Sequence, residues 1–408
     1  MNNNQTTYKN SPIGKIPSDW EVKELSEIGT FSKGKGILKE QVIENGFPCI
    51  RYGEIYTTHD FIIKEFKSFI SNDVANESQE IKNGDILFAG SGETVEEIGK
   101  SVAYLGSEKA YAGGDIIILS TKESFSAECL SYALETDIAK KQKRILGQGN
   151  SVVHIYSSEL SKLKLPIPPL PEQIRIAEVL STWDKAISNL QLIIDNLQLR
   201  KKWLMQNLLT GKKRLKGFSG DWKEYKLGNI GKIKMCRRVF NHETKHKGDI
   251  PFYKIGTFGK IADAYISKEL YNDYKTRFSF PSKGDILISA AGTLGRTVVY
   301  DGIPAYFQDS NIVWISHDNS KVINEYLFYV YKIIRYDSEG GTIQRLYNNI
   351  ISNVKLNLPS TEEQTAIAKV LQTADKEIQS YKAKLEKLKE QKKGLMQVLL
   401  TGKKRLKI

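Results

Sequence analysis

Apolar residues along 176–208 recur at alternating steps of four and three: Ile176, Leu180, Trp183, Ile187, Leu190, Ile194, Leu197, Leu204 and Leu208, with Lys201 in the single gap. That spacing predicts one long helix carrying a heptad seam. The pattern returns through Ile367, Leu371, Ala374, Ile378, Tyr381, Leu385, Leu388, Leu395 and Leu399, with Lys392 in the same gap. Residues 172–216 and 363–407 are identical at 25 of 45 positions, so the chain is a duplication of one large unit rather than an array of short repeats. A helix of about 37 residues spans roughly 55 Å, more than a compact domain covers, and the economical solution is for the two seams to bury each other. Antiparallel pairing makes the halves equivalent by a twofold axis and is the expected direction.

Each predicted helix is led in by a proline-bearing segment, LPIPPLPEQ at 165–173 and LNLPSTEEQ at 356–364. Pro171 and Glu172 suit a first turn, where no N–H partner is needed and a carboxylate meets the positive helix end. The helices stop at Thr210-Gly211 and Thr401-Gly402, each followed by KKRLK. These basic tails read equally well as solvated charge or as contacts to a nucleic-acid backbone.

Segments 18–164 and 220–355 share a skeleton beneath low identity. DWEVKELSEIG at 19–29 matches DWKEYKLGNIG at 221–231, and PCIRYGEIY at 48–56 matches PFYKIGTFG at 251–259. NGDILFAGSG at 83–92 matches KGDILISAAG at 283–292, an apolar run closing on a glycine turn. Helical patterns follow at about 126–146 and 321–337, then a polar loop, GNSVVHIY at 149–156 and GGTIQRLY at 340–347. Each segment reads as one domain mixing strands and helices. The chain divides accordingly into 1–164, 165–216, 217–355 and 356–408.

Composition adds a partner class. Of 408 residues, 40% are hydrophobic and 26% charged, ordinary for a globular protein, but the net charge of +13 favours polyanions. No apolar run approaches the roughly 18 residues of a spanning helix, and the opening MNNNQTTYKNS has no signal-peptide core, so no membrane role and a cytoplasmic location are expected. Cys49, Cys129 and Cys236 are widely spaced and form no metal or disulfide pattern.

The two segments differ most in their turns, where reading residues sit on a fixed scaffold. Candidate DNA-binding positions are Lys35, Arg51, Tyr52, Glu93, Lys100, Asn150 and His154 in the first, and Arg237, Arg238, Tyr253, Lys254, Thr293, Arg296, Gln344 and Arg345 in the second. Arg and Lys match guanine edges or phosphates, and Asn or Gln matches adenine.

Two variable segments, each followed by a near-identical long helix with Glu172-Gln173 or Glu363-Gln364 at its start and LLTGKKRLK at its end, make the chain similar to the specificity subunit of type I restriction-modification systems. The resemblance covers nearly the whole chain. It implies an α+β architecture of two mixed α/β target-recognition domains, each followed by a long helix, with the helices paired as an antiparallel coiled coil. It implies further that each domain reads one half of a split double-stranded DNA target, with the helices setting the spacer. The implied partners are two DNA-methyltransferase subunits and two restriction/translocase subunits. The chain itself is then non-catalytic and holds no cofactor or metal, and S-adenosylmethionine, ATP and Mg belong to those partners.

Other readings are weaker. His242-Glu243-Thr244-Lys245-His246 spells H-E-x-x-H, a zinc-peptidase pair when it lies on a helix, but Lys247-Gly248-Asp249-Ile250-Pro251 follows at once with turn chemistry. Gly92 to Gly99-Lys100-Ser101 has two residues too many for a phosphate loop. A coiled-coil scaffold joining two protein-binding heads stays open as the alternative to a DNA reader.

Overall fold

The computed structural model describes residues 7–149, 152–334 and 346–406. The chain forms two compact units: Met1–Gln191 with Lys384–Ile408, and Leu192–Ala383.

In the first unit, four antiparallel strands lie in the order Ser101–Tyr104, Asp85–Ala89, Ile116–Thr121, Gly29–Lys33. Asp85–Ala89 is buried along its whole length because both faces of the sheet are covered. Ile86 and Phe88 enter one apolar cluster, while Leu87 and Ala89 enter another on the opposite side. A second sheet contains Ser68–Ile70, Phe47–Ile50 and Ala110–Ala112, the last two paired in parallel.

The second unit repeats this topology. Its four strands run Thr297–Val299, Ile286–Ser289, Ile312–Ser316, Lys232–Met235. Ala264–Ile266, Ile250–Tyr253 and Tyr306–Phe307 form the second sheet, again with one parallel pair. The apolar runs DILFA and DILIS thus become matching strands, each a central member of its sheet.

The pattern at 126–146 is two helices, Ala127–Ala133 and Asp137–Leu146. Thr136 breaks it by capping the second, its hydroxyl accepting from the Ala139 N–H. In the second unit the matching pattern gives Asn324–Val330, and residues 335–337 lie outside the described ones.

The long helices are Leu170–Leu208 and Thr361–Leu399. Pairing is antiparallel in each unit. In the first, Glu172 meets Arg405 and Asp184 meets Lys392; in the second, Lys201 meets Asp375 and Arg214 meets Glu363. Rising numbers on one helix face falling numbers on the other. Of the seam residues, Ile176, Leu180, Leu190, Ile194, Leu197, Ile367, Leu371, Ile378 and Leu385 are buried, whereas Trp183, Ile187 and Leu388 are half-buried.

The seams are not covered by helix alone. Ile176, Leu180, Met396 and Leu399 share one core with the first unit's sheet, and Leu208, Ile367 and Leu371 share one with the second unit's sheet. Both helices stop on a glycine with φ of +71°, Gly211 and Gly402. That left-handed backbone costs an L side chain about 1–2 kcal/mol, which explains the TG that ends each copy.

Candidate nucleic-acid interface

In each unit the loops leaving the two sheets meet at one end. In the first, the Gly114 N–H donates to the Gly36 carbonyl and the Gly113 N–H to that of Ile50, which joins the Lys35 loop to the Arg51 helix start. Lys35 and Tyr52 are exposed there. Arg51 is half-buried and turned toward Glu54, with an N···O distance of 3.6 Å. Asp115, with φ of +64°, completes the turn and accepts a hydrogen bond from Ser91.

His154 joins the same group through Nδ1, 3.1 Å from the Ser91 hydroxyl. Serine stands in the middle of this Ser91, His154, Asp115 cluster, with the carboxylate on the hydroxyl rather than on the imidazole. The carboxylate does not orient the imidazole, so the arrangement is not that of a nucleophilic triad. With its hydroxyl proton given to Asp115, Ser91 can only accept from Nδ1–H, which leaves Nε2 of a neutral His154 as an acceptor. Glu93 is exposed nearby on the loop after Gly92. Asn150 lies outside the described residues.

In the second unit, a polar cleft of about 350 Å³ brings together Arg238 and Lys254 with Asn241, Gln308 and Asn311. Arg238 Nε donates to Asp309 at 2.9 Å, and Lys254 pairs with Asp263 at 2.9 Å. Exposed Arg237 lies over the Phe278 ring at 5.2 Å, and half-buried Tyr253 stacks on Phe307. Thr293 is exposed on the 292–295 turn. Gln344 and Arg345 lie outside the described residues.

Two candidates spend a donor on the scaffold. Lys100 Nζ donates to the Tyr56 carbonyl at 3.2 Å, and Arg296, at the equivalent strand position, donates to the Phe258 carbonyl at 2.9 Å. Asp309, Gln308, Asn311 and Phe240 were not among the sequence candidates. For Gln308, Asp309 and Asn311 the available signal was QDSN at 308–311, where the first copy has the shorter GGD at 113–115.

A family model described as the type I restriction modification DNA specificity domain matches residues 17–198 and again 219–390. The chain belongs to the type I restriction-modification specificity-subunit family. A Haemophilus influenzae protein named as such a subunit, S.HindORF215P, is 43% identical over 225 residues, 55% of this chain and 58% of its own length. The MjaX specificity subunit of Methanocaldococcus jannaschii is 29% identical over 433 residues, covering 99% of this chain and 98% of the relative. The solved S subunit from M. genitalium shares the fold, with a TM-score of 0.56 at 18% identity, over 96% of this chain and 99% of that one.

The motifs that carry the specificity-subunit resemblance turn out to be clamps. Glu172 is fully buried; it takes two hydrogen bonds of 2.6 Å from Arg405 in the opposite tail and one of 3.0 Å from Trp20 Nε1. Glu363 takes two of 2.5 Å from Arg214. The paired Gln side chains secure the head. Gln173 accepts from the Ser126 N–H and donates to the Pro168 carbonyl; Gln364 accepts from the Ile323 N–H and donates to those of Lys321 and Pro359. Each tail therefore uses its Arg inside the protein, while Lys212, Lys213, Lys403 and Lys404 stay exposed.

The lysines in the seam gaps are also placed. Lys392 Nζ lies 2.5 Å from Asp184, which accepts from the Tyr132 hydroxyl at 2.6 Å. Lys201 meets Asp375, which accepts from Tyr329 at 2.7 Å. Burial pushes the Lys392 ammonium down and Asp184 opposes this. Burial first, then the carboxylate each donates to, pushes both phenols up, so they remain protonated donors.

The H-E-x-x-H stretch is not on an α-helix: His242 and Glu243 lie on a single 3₁₀ turn, Asn241–Glu243, which ends before His246. Both Glu243 oxygens are engaged, by the Phe240 N–H at 2.7 Å and the Tyr274 hydroxyl at 3.1 Å. Among the described residues no group of three or more His, Cys, Asp or Glu is placed to hold a metal, and no helix is long and apolar enough to cross a membrane.

Proposed function

We propose that this chain reads a two-part double-stranded DNA target, one half per head, with the spacer set by the paired helices, and assembles two methyltransferase and two restriction/translocase subunits around itself. The observation that carries this reading is the contrast within the duplication. Helices, clamps and sheet order are held alike in both halves, while the equivalent loop ends carry different side chains, Gly36 against Arg238 and GGD against QDSN. A scaffold repeated with altered loops suits two different sequences read by one mechanism. S-adenosylmethionine, ATP and Mg are assigned to the partner subunits, and the chain to recognition.

The test is selection from a random duplex library by the chain co-expressed with its methyltransferase subunit. One two-part motif with a fixed spacer, and binding that weakens steeply with salt, are expected. Retention without any motif would overturn the reading and favour a basic scaffold.

A further inference from the structure

We infer that Arg238, held by Asp309, demands a guanine at one position of the half-target read by the second head. The inference rests on the proposed function and specifies one of its contacts. Arg238 projects from the loop after Lys232–Met235; its side chain is 60% exposed, while that of Asp309 is 17% exposed. The backbone beneath is fixed, because Cys236 is buried and the carbonyl of Arg237 accepts a hydrogen bond from Tyr306, itself buried. Asp309 sits in a turn whose next residue, Ser310, has φ of +53°.

The pairing decides what this guanidinium can read. Its Nε is engaged by the carboxylate, so the edge left to present a planar fork is the end of the guanidinium, with one N–H from each terminal amino group. That fork matches O6 and N7 on the major-groove edge of guanine. A phosphate is the poorer partner, since a carboxylate 2.9 Å from the guanidinium offsets the net charge that a backbone contact uses. Among the described residues Arg237 has no such carboxylate, and it lies over Phe278 instead. Phe240, 48% exposed and stacked on His242, lines the same cleft and offers an apolar contact beside the fork.

The first head has no counterpart. Lys33 pairs with Ile117 as Met235 pairs with Val313, so three residues further on Gly36 occupies the place of Arg238. The requirement therefore belongs to one half of the target only.

The test repeats the library selection with wild type, Arg238→Ala, Arg238→Lys and Asp309→Asn in the full chain with its methyltransferase subunit. The wild-type motif is expected to contain a guanine whose preference falls about 10–100-fold in Arg238→Ala, with every other position and the other half-target unchanged. Arg238→Lys does not restore it, lacking the fork. Asp309→Asn lowers the guanine preference while strengthening binding to all sequences, since the guanidinium regains its net charge. An Arg238→Ala motif identical to wild type, with binding weakened alike on every sequence, would mark a phosphate contact and overturn the inference while leaving the proposed function standing. A wild type that selects no motif would overturn both.

Discussion

Replacing Asp184 with Ala tests the reading of the seam lysines as buried, paired charges. The substitution removes the carboxylate that meets Lys392 at 2.5 Å and the Tyr132 hydroxyl at 2.6 Å. The Lys392 side chain is only 5% exposed and that of Asp184 17%, so water replaces little of what is lost. Stripping one member from such a pair costs about 3–5 kcal/mol. The Phe61 and Tyr132 rings, 3.8 and 4.7 Å from the ammonium, retain part of its stabilisation, which places the expected loss near 3 kcal/mol. At about 2–4 °C per kcal/mol for a unit of this size, Tm falls by roughly 6–12 °C. Urea and thermal unfolding followed by circular dichroism read this directly. Adding Lys392→Met removes the stranded cation and is expected to recover most of the loss, a coupling of about 2 kcal/mol or more in a double-mutant cycle. The related pair Lys201 and Asp375 is more exposed, at 17% and 32%, and Asp375→Ala should cost only about 1–2 kcal/mol. Additive single effects, or an Asp184→Ala shift below about 2 °C, would refute the reasoning.

Three further outcomes follow from the same geometry. Trp20→Phe removes a hydrogen bond to the buried Glu172, whereas Trp222 Nε1 is buried with no hydrogen-bond partner among the described residues; urea unfolding should show Trp20→Phe costlier than Trp222→Phe by about 1.5–3 kcal/mol. Gly211→Ala meets the Trp222 ring at an ordinary 3.5 Å and should lower stability by about 1–2 kcal/mol through its positive φ alone, while Gly402→Ala drives a Cβ to 2.3 Å from Pro17 and should unfold at clearly lower urea. His59 is buried and Nε2 has no hydrogen-bond partner among the described residues; burial pushes its pKa below the ordinary 6.5, opposed chiefly by Glu54, with Lys100 lowering it and Glu65 and Asp60 raising it. The unfolded chain then binds the proton first, so His59's contribution is intact above pH 6.5 and lost as pH falls below it. His59→Phe should flatten the rise of Tm between pH 5 and 7, and an unchanged slope would count against it.

The repeat, the seam and the glycine stops could be read from the sequence because each is set by local physics: heptad spacing, first-turn chemistry and left-handed backbone. DILFA and DILIS announced buried strands for the same reason, although the order of those strands in the sheet did not show. The roles of charged residues were hidden. Lys201 and Lys392 read as gaps in a seam, and the KKRLK tails as solvated charge or nucleic-acid contacts, because Asp375 and Asp184, Glu363 and Glu172 lie 149 to 233 positions away along the chain. Likewise Arg238 looked like one cation among many until the fold set Asp309 beside it, 71 residues on. Local pattern fixes which backbone a segment adopts, since its causes lie within a few residues. Whether a charge serves the scaffold or faces a partner depends on what is brought against it from elsewhere, and that is decided only when the sheets and helices have packed.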